Sequence, residues 1–198
     1  MTNSLPVCPE WLSHQYVGGM DEVGYGSLAG PVVSALVILP KDFKCDLIND
    51  SKKLSDKKRR IAYDLILESA LAYSVQAVSV KTINQIGIIP ATMRSMQKCI
   101  DDIHIKPNYL LIDGDQWDKY QQIPFETVHK GDSTYMCIAA ASILAKVRRD
   151  DYMIKLHEVF PGYGWDTNKG YGSQAHLGGI KTLGPTDYHR TQFIRNHI

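Results

Sequence analysis

The apolar positions change period several times along the chain, and each change predicts an element. Residues 16–21, "YVGGMD", and 31–39, "PVVSALVIL", are short runs rich in Val, Ile and Leu and read as strands. After "SKKLS", the residues Ala62, Leu65, Ile66, Ser69 and Ala70 recur at helical spacing up to about Leu71. Ser55 is placed as an N-cap and Asp56 falls in the first turn. Residues 72–80, "AYSVQAVSV", return to strand. A helix containing 91–103 follows Pro90, "NYLLIDGD" is a strand stopped by Gly114, and "FETVH" is another. "GDSTYMCIAAASILAKVRRDDYM" reads as a long helix opened by Gly131 and Asp132. Glycines then punctuate the chain until a helix near 173–183. Strands first, then strands alternating with helices, predict an α/β layered domain with a mixed central sheet and a helical C-terminal region. No repeat or linker divides it, so 1–198 is expected to be one domain, with about 1–15 and 192–198 peripheral.

Composition narrows this picture. Apolar residues make up 44% of the chain, enough for a core, and no stretch approaches the roughly 20 apolar residues of a membrane span. The first residues lack a basic stretch followed by an apolar one, so no secretory leader is expected. Cys8, Cys45, Cys99 and Cys137 are far apart with no C-x-x-C pair, which argues against a zinc or redox motif. A reducing, cytoplasmic compartment is expected. Net charge is only +1, but 51–60 carries six cationic side chains against Asp56 alone, either a phosphate-facing patch or the solvated start of a helix.

Candidate chemistry concentrates on acids. In "GGMDEVGYGSLAGPVV", Asp21 and Glu22 stand where a strand ends, and Asp113 ends the strand "LLID". Ligands in open α/β sheets collect beyond the carboxyl ends of strands, so Asp21 and Asp113 can converge there. Asp132 joins them at the start of a helix, where it can equally serve as a cap. Asp113 can be a turn former beside Gly114, and Asp115 is read as a solvated turn residue. Oxygen donors without His or Cys suit Mg²⁺ or Mn²⁺ better than zinc. The glycine run leads into Pro31 and β-branched residues rather than a helix, which rules out the nucleotide-binding fingerprints.

Five blocks, "MDEVGYGSLAGPVV", "DSKKL", "LLIDGD", "HKGDSTYMCIAAASILAKVRRD" and "FPGYGWDTNKGYGSQAHLGGIKTLGPTDYHRTQF", resemble ribonuclease HII (type 2 ribonuclease H) in order and spacing. The resemblance implies a ribonuclease H-like fold. It also implies cleavage of the RNA strand of RNA–DNA hybrids and incision of DNA 5′ of embedded ribonucleotides, leaving 3′-hydroxyl and 5′-phosphate ends. Asp21, Glu22, Asp113 and Asp132 fall on the family's metal-binding catalytic acids, with Mg²⁺ or Mn²⁺, two ions during catalysis, as the implied cofactor. Gly24, Tyr25 and Gly26 match the loop that reads the 2′-hydroxyl, and Tyr171 matches a sugar-stacking tyrosine. Ser51, Lys52, Lys53, Lys146 and Lys169 match positions that meet phosphates, while His176, His189 and Arg190 fall in matching blocks. The family's loop usually carries Arg where this chain has Tyr25. That substitution motivates a rival reading, a module that binds ribonucleotide junctions without cutting them. A monomer with no membrane association is expected.

Overall fold

The structure, a computed structural model, describes residues 4–10, 12–49, 51 and 54–196. Val17–Val23 (β1), Val32–Ile38 (β2) and Ala72–Val78 (β3) form an antiparallel meander. Tyr109–Asp113 (β4) pairs parallel with β1, and Phe125–Val128 (β5) pairs parallel with β4, so the sheet order is β3-β2-β1-β4-β5. All five expected strands are present in a mixed sheet. The helices are Asp56–Ser69 (α1), Val80–Ile86 (α2), Ile88–Asp102 (α3), Met136–Val159 (α4), Trp165–Asn168 (α5), Gln174–Leu183 (α6) and Thr191–Ile194 (α7).

Helix starts follow their caps. The Ser55 hydroxyl accepts from the Lys58 amide at 3.4 Å, so the expected cap holds, and Ser173 caps α6 by accepting from the His176 amide at 3.1 Å. Several boundaries differ from the sequence reading. The third strand stops at Val78, and Ser79 caps the unforeseen α2 by accepting from Thr82. Helix α3 starts at Ile88, ahead of Pro90, because a proline in the first turn has no intrahelical donor to lose. Gly131 and Asp132 do not open α4. They lie in a 3-10 turn, Gly131–Ser133, and α4 begins at Met136 after an uncapped Tyr135.

Helix α4 is the centre of the molecule. From Met136 to Ala145 every residue is buried, the pattern of a helix enclosed on all sides. Fully burying a side chain such as Ile138 or Leu144 stabilises the fold by about 2 kcal/mol. The helix lies close on the sheet because β1 has Gly19 beneath it, and a Cβ there would run into the Cys137 backbone. α1 packs with α4 on this face through Ala62 and Ile66, while α3 covers the other face through Met96, Cys99 and Ile100. The leading segment joins the body of the fold: Val7, Cys8 and Leu12 are buried in the α4-side core, and the Met136 and Cys137 amides donate to Pro6 and Val7. A third core, including Leu28, Met153, Trp165 and Ile180, joins the C-terminal helices to the glycine loop. Among the described residues no helix is long and apolar enough to cross a membrane.

Candidate active site

Strand alternation and register place the acids. β1 pairs with β4 up to Met20–Ile112, so Asp21 and Asp113 are the next positions on adjacent parallel strands. Asp21 and Glu22 lie inside β1, which continues to Val23 against β2, rather than beyond its end. Their side chains therefore leave opposite faces of the strand. Asp21 shares the α4 face with Val17 and Val23, and Glu22 shares the α3 face with Met20. Asp113 is tied to the turn that carries Asp132, since the Gly131 amide donates to Asp113 Oδ1 at 2.6 Å. Asp132 itself is buried.

Burial and like charge shape this group. Asp21 is 4% exposed, and its pKa is pushed well above the usual carboxylate range, first by burial and then by Glu22 and Asp113. Hydrogen bonds from Ser142 and from the Glu22 amide (2.7 Å) oppose that shift without cancelling it. An acid held in this way needs a proton or a cation. Hard oxygen donors of one sign at the ends of adjacent parallel strands fit a divalent cation such as Mg²⁺ or Mn²⁺. Asp21, Glu22 and Asp113 are electrostatic neighbours rather than a ready-made cage, and Asp132 lines neither of the two cavities that adjoin them: among the described residues no three acidic, His or Cys side chains already converge as a metal-ligating set.

Two cavities meet at the acids. One, of about 410 Å³, is lined by Asp21, Gly24, Gly26, Ser51, Ser142, Lys146 and Tyr171, among others. The second, about 360 Å³, lies on the α3 side and takes in Asp113, Asp115, Thr92 and Met93. Glu22 and Tyr25 line both and so form the wall between them. Tyr25 and Tyr171 are partly exposed. Ser51 is buried and bonded to Ser142 Oγ at 2.9 Å. Lys146 pairs with Asp150 at 2.8 Å, and its ammonium lies 6.0 Å from the Tyr171 ring centroid. Lys169 lines neither cavity: its ammonium donates to the Asp166 carbonyl, while its own carbonyl accepts from Arg149. Lys52 and Lys53 lie outside the described residues. In the rest of the basic stretch, Arg59 donates to the Ser51 and Leu54 carbonyls and Arg60 pairs with Asp56 and Asp151, so both serve the fold.

Three residues near the site escaped the sequence reading: Ser27, Ser142 and Arg149. Ser142, Lys146 and Arg149 stand at i, i+4 and i+7 on α4, a spacing that marks one helix face. Arg149 is fully buried and its guanidinium sits 5.3 Å from the Tyr171 ring centroid, a cation–π distance.

A chain of imidazoles fixes Tyr171 from behind. Trp165 Nε1–H donates to His176 Nε2 (2.9 Å), so His176 Nδ1–H donates to the Tyr171 carbonyl (2.9 Å). The Thr186 amide donates to His189 Nδ1, leaving His189 Nε2–H for His176 Nε2 at 3.1 Å. Burial lowers the pKa of both histidines, that of His189 to about 4, with His176 adding to the latter.

With this geometry in place, likeness to known proteins becomes informative. The sequence model of the family described as Ribonuclease HII matches residues 18–197. A ribonuclease HII of Bacteroides thetaiotaomicron is 50% identical over 175 residues, 88% of each chain. The ribonuclease H2 structure from Pyrococcus horikoshii OT3 superposes with a TM-score of 0.78 at 24% identity, covering 92% of this chain and 96% of that one. Bst-RNase HIII, solved in complex with Mn²⁺, gives 0.72 at 20% identity over 94% of this chain and 70% of its own.

Proposed function

The chain belongs to the ribonuclease HII family, and on that premise we propose that it hydrolyses the RNA strand of RNA–DNA hybrids and incises DNA 5′ of an embedded ribonucleotide, leaving 3′-hydroxyl and 5′-phosphate ends. It is an endonuclease of a metal-dependent family. The observation that carries the reading is Asp21, a carboxylate whose pKa is raised by burial and by acidic neighbours and which lines a cavity with serine, lysine and tyrosine.

Asp21, Glu22, Asp113 and Asp132 are the residues that would hold Mg²⁺ or Mn²⁺, two ions in the reacting complex. Divalent metal bound there supplies an activated water and offsets charge on the departing 3′ oxygen. The rest of the site positions substrate. Ser142 on α4 braces Asp21 and is itself bonded to Ser51, and the Gly131 amide holds one oxygen of Asp113. Gly24–Gly26 and Tyr171 face each other across the larger cavity. There the loop backbone can bond a 2′-hydroxyl, both donor and acceptor, while Tyr171 stacks on the neighbouring sugar. Lys146 brings a cation to the same cavity for phosphate. The acids speak against a binding module that does not cut, because repelling carboxylates would weaken phosphate binding and serve no purpose there.

The test is incubation with Mg²⁺ or Mn²⁺ and two labelled duplexes, a full RNA–DNA hybrid and a DNA duplex containing one ribonucleotide. The expected result is a cut in the hybrid's RNA strand and a single nick 5′ of the lone ribonucleotide, with 3′-hydroxyl and 5′-phosphate ends. Tight binding without a cut would favour the junction-binding module instead.

A further inference from the structure

Two guanidiniums lie buried behind the glycine loop, and neither is paired with a carboxylate among the described residues. Arg149 and Arg190 are each 0% exposed. Arg149 donates to the carbonyls of Pro31 (2.9 Å), Lys169 (2.8 Å) and Ala29 (3.0 Å) and to Ser27 Oγ (2.7 Å). Arg190 donates twice to the Gly30 carbonyl (3.1 and 2.9 Å) and once to that of Tyr25 (2.8 Å). Every acceptor is neutral, and all but the Lys169 carbonyl belong to the loop between Tyr25 and Pro31. Burial lowers the pKa of both, and Arg149 helps pull Arg190 down to about 9. Burying two like charges without counter-ions is costly, and a packing role alone would be met more cheaply by apolar side chains.

The geometry of those bonds shows what the arrangement achieves. In a trans peptide the N–H points opposite to the C=O. The Tyr25 carbonyl is held inward by Arg190, so the Gly26 amide is turned outward, and a Cβ at Gly26 would meet nothing within 4 Å. Gly26 borders the cavity that Asp21, Ser51 and Tyr171 also line. Arg149 meanwhile reaches both sides of the cavity at once, bonding the loop and the Lys169 carbonyl while its face lies under the Tyr171 ring. The backbone adds clasps in the same place: the Leu28 amide donates to Gly170 (2.8 Å) and the Arg190 amide to Leu28 (2.8 Å). Gly170, at φ 83°, has its Cα so close to the Ala29 carbonyl that no side chain fits.

We infer that Arg149 and Arg190 are positioning residues for the cleavage reaction: their guanidiniums lock the glycine loop and the Tyr171 turn into one preset jaw that selects ribose over deoxyribose. This deepens the nuclease reading and rests on it. A planar fork bonding several carbonyls cannot be replaced by an ammonium, which is a point charge on a flexible stem. Lysine at either position keeps the charge and loses the lock.

The experiment compares Arg149→Lys and Arg190→Lys, each on an Asp113→Asn background that keeps substrate intact, with Asp113→Asn alone. Binding to a duplex containing one ribonucleotide is measured against binding to the all-deoxy duplex. The ratio of the two affinities is expected to fall about tenfold in the lysine variants. A merely destabilised protein would lose both affinities together and leave the ratio unmoved. Folded lysine variants with an unchanged ratio overturn the proposal. If lysine is not tolerated, Ser27→Ala serves instead: it removes one acceptor of Arg149 and leaves both cations. A smaller fall, about threefold, is then expected, and an unchanged ratio again overturns the proposal. The unsubstituted protein is run in the cleavage assay beside them. A parent that cuts neither duplex overturns the nuclease reading together with this one, whereas a cutting parent with indifferent variants overturns this one alone.

Discussion

The acid group at the ends of β1 and β4 and the arginine pair behind the loop are both clusters of like charge removed from water, and the protein treats them in opposite ways. The arginines are satisfied from within, each fork closed by neutral backbone and hydroxyl oxygens. Among the described residues, Asp21 has Ser142 and the Glu22 amide to offset burial and two acidic neighbours, and they do not cancel the upward push on its pKa. A cluster closed from within is scaffold, and a cluster left in deficit is a place for a ligand. The contrast makes opposite forecasts for substitution: neutralising an acid relieves the fold, and neutralising an arginine strands the groups it served.

The largest effect is expected at Asp113. Asp113→Asn should lower kcat by about 10³-fold, a barrier increase of about 4 kcal/mol. In metal-free buffer the same variant should be as stable as the parent or more so, by up to about 1 kcal/mol. A large loss of metal-free stability in urea unfolding would mean that the acids are scaffold too, and the contrast would collapse. Next comes Arg149→Met, expected to cost about 3 kcal/mol because four buried acceptors lose their donor. A shift in the urea midpoint worth less than about 1 kcal/mol, the size of one such loss, would show that the fork is dispensable. The smallest effect concerns the His176–His189 pair, which avoids charge altogether. Its members ionise less readily folded than unfolded, where the pKa is about 6.5. Their contribution is therefore complete above that value and is lost as pH falls toward 4. For His189 this amounts to about 2 kcal/mol between pH 7 and pH 5. His189→Gln should lack that part of the slope, and comparing it with the parent separates it from Asp21, whose raised pKa acts in the opposite sense. Identical slopes in the two proteins would place the histidine charge elsewhere.

Local chemistry was legible in the sequence and distant chemistry was not. Ser55 could be read as a cap because a cap is decided within three residues. The five strands could be read from their β-branched runs. Helix α2 was hidden because Ser79 and Val80 fit the end of a strand as well as the start of a helix. The Gly131–Asp132 turn was misread because what holds it is Asp113, eighteen residues earlier. The acids were visible as residue types at strand ends, and their roles came from family resemblance. Arg149 was invisible: within "KVRRD" nothing separates it from exposed Arg148, and its burial depends on a loop more than a hundred residues away.

The clasp between Arg190 and Gly30 joins residues 160 positions apart. A chain emerging from the ribosome can pair β1 with β2 and later with β4, and so gather most of its acids, long before residue 190 exists. The ribose-reading jaw has to wait for it. Contacts of such separation form late, because the intervening loop must be closed before they repay anything. On this timetable the acids of β1 and β4 come together before the loop behind them is clasped, and the clasp completes only once synthesis has passed Arg190.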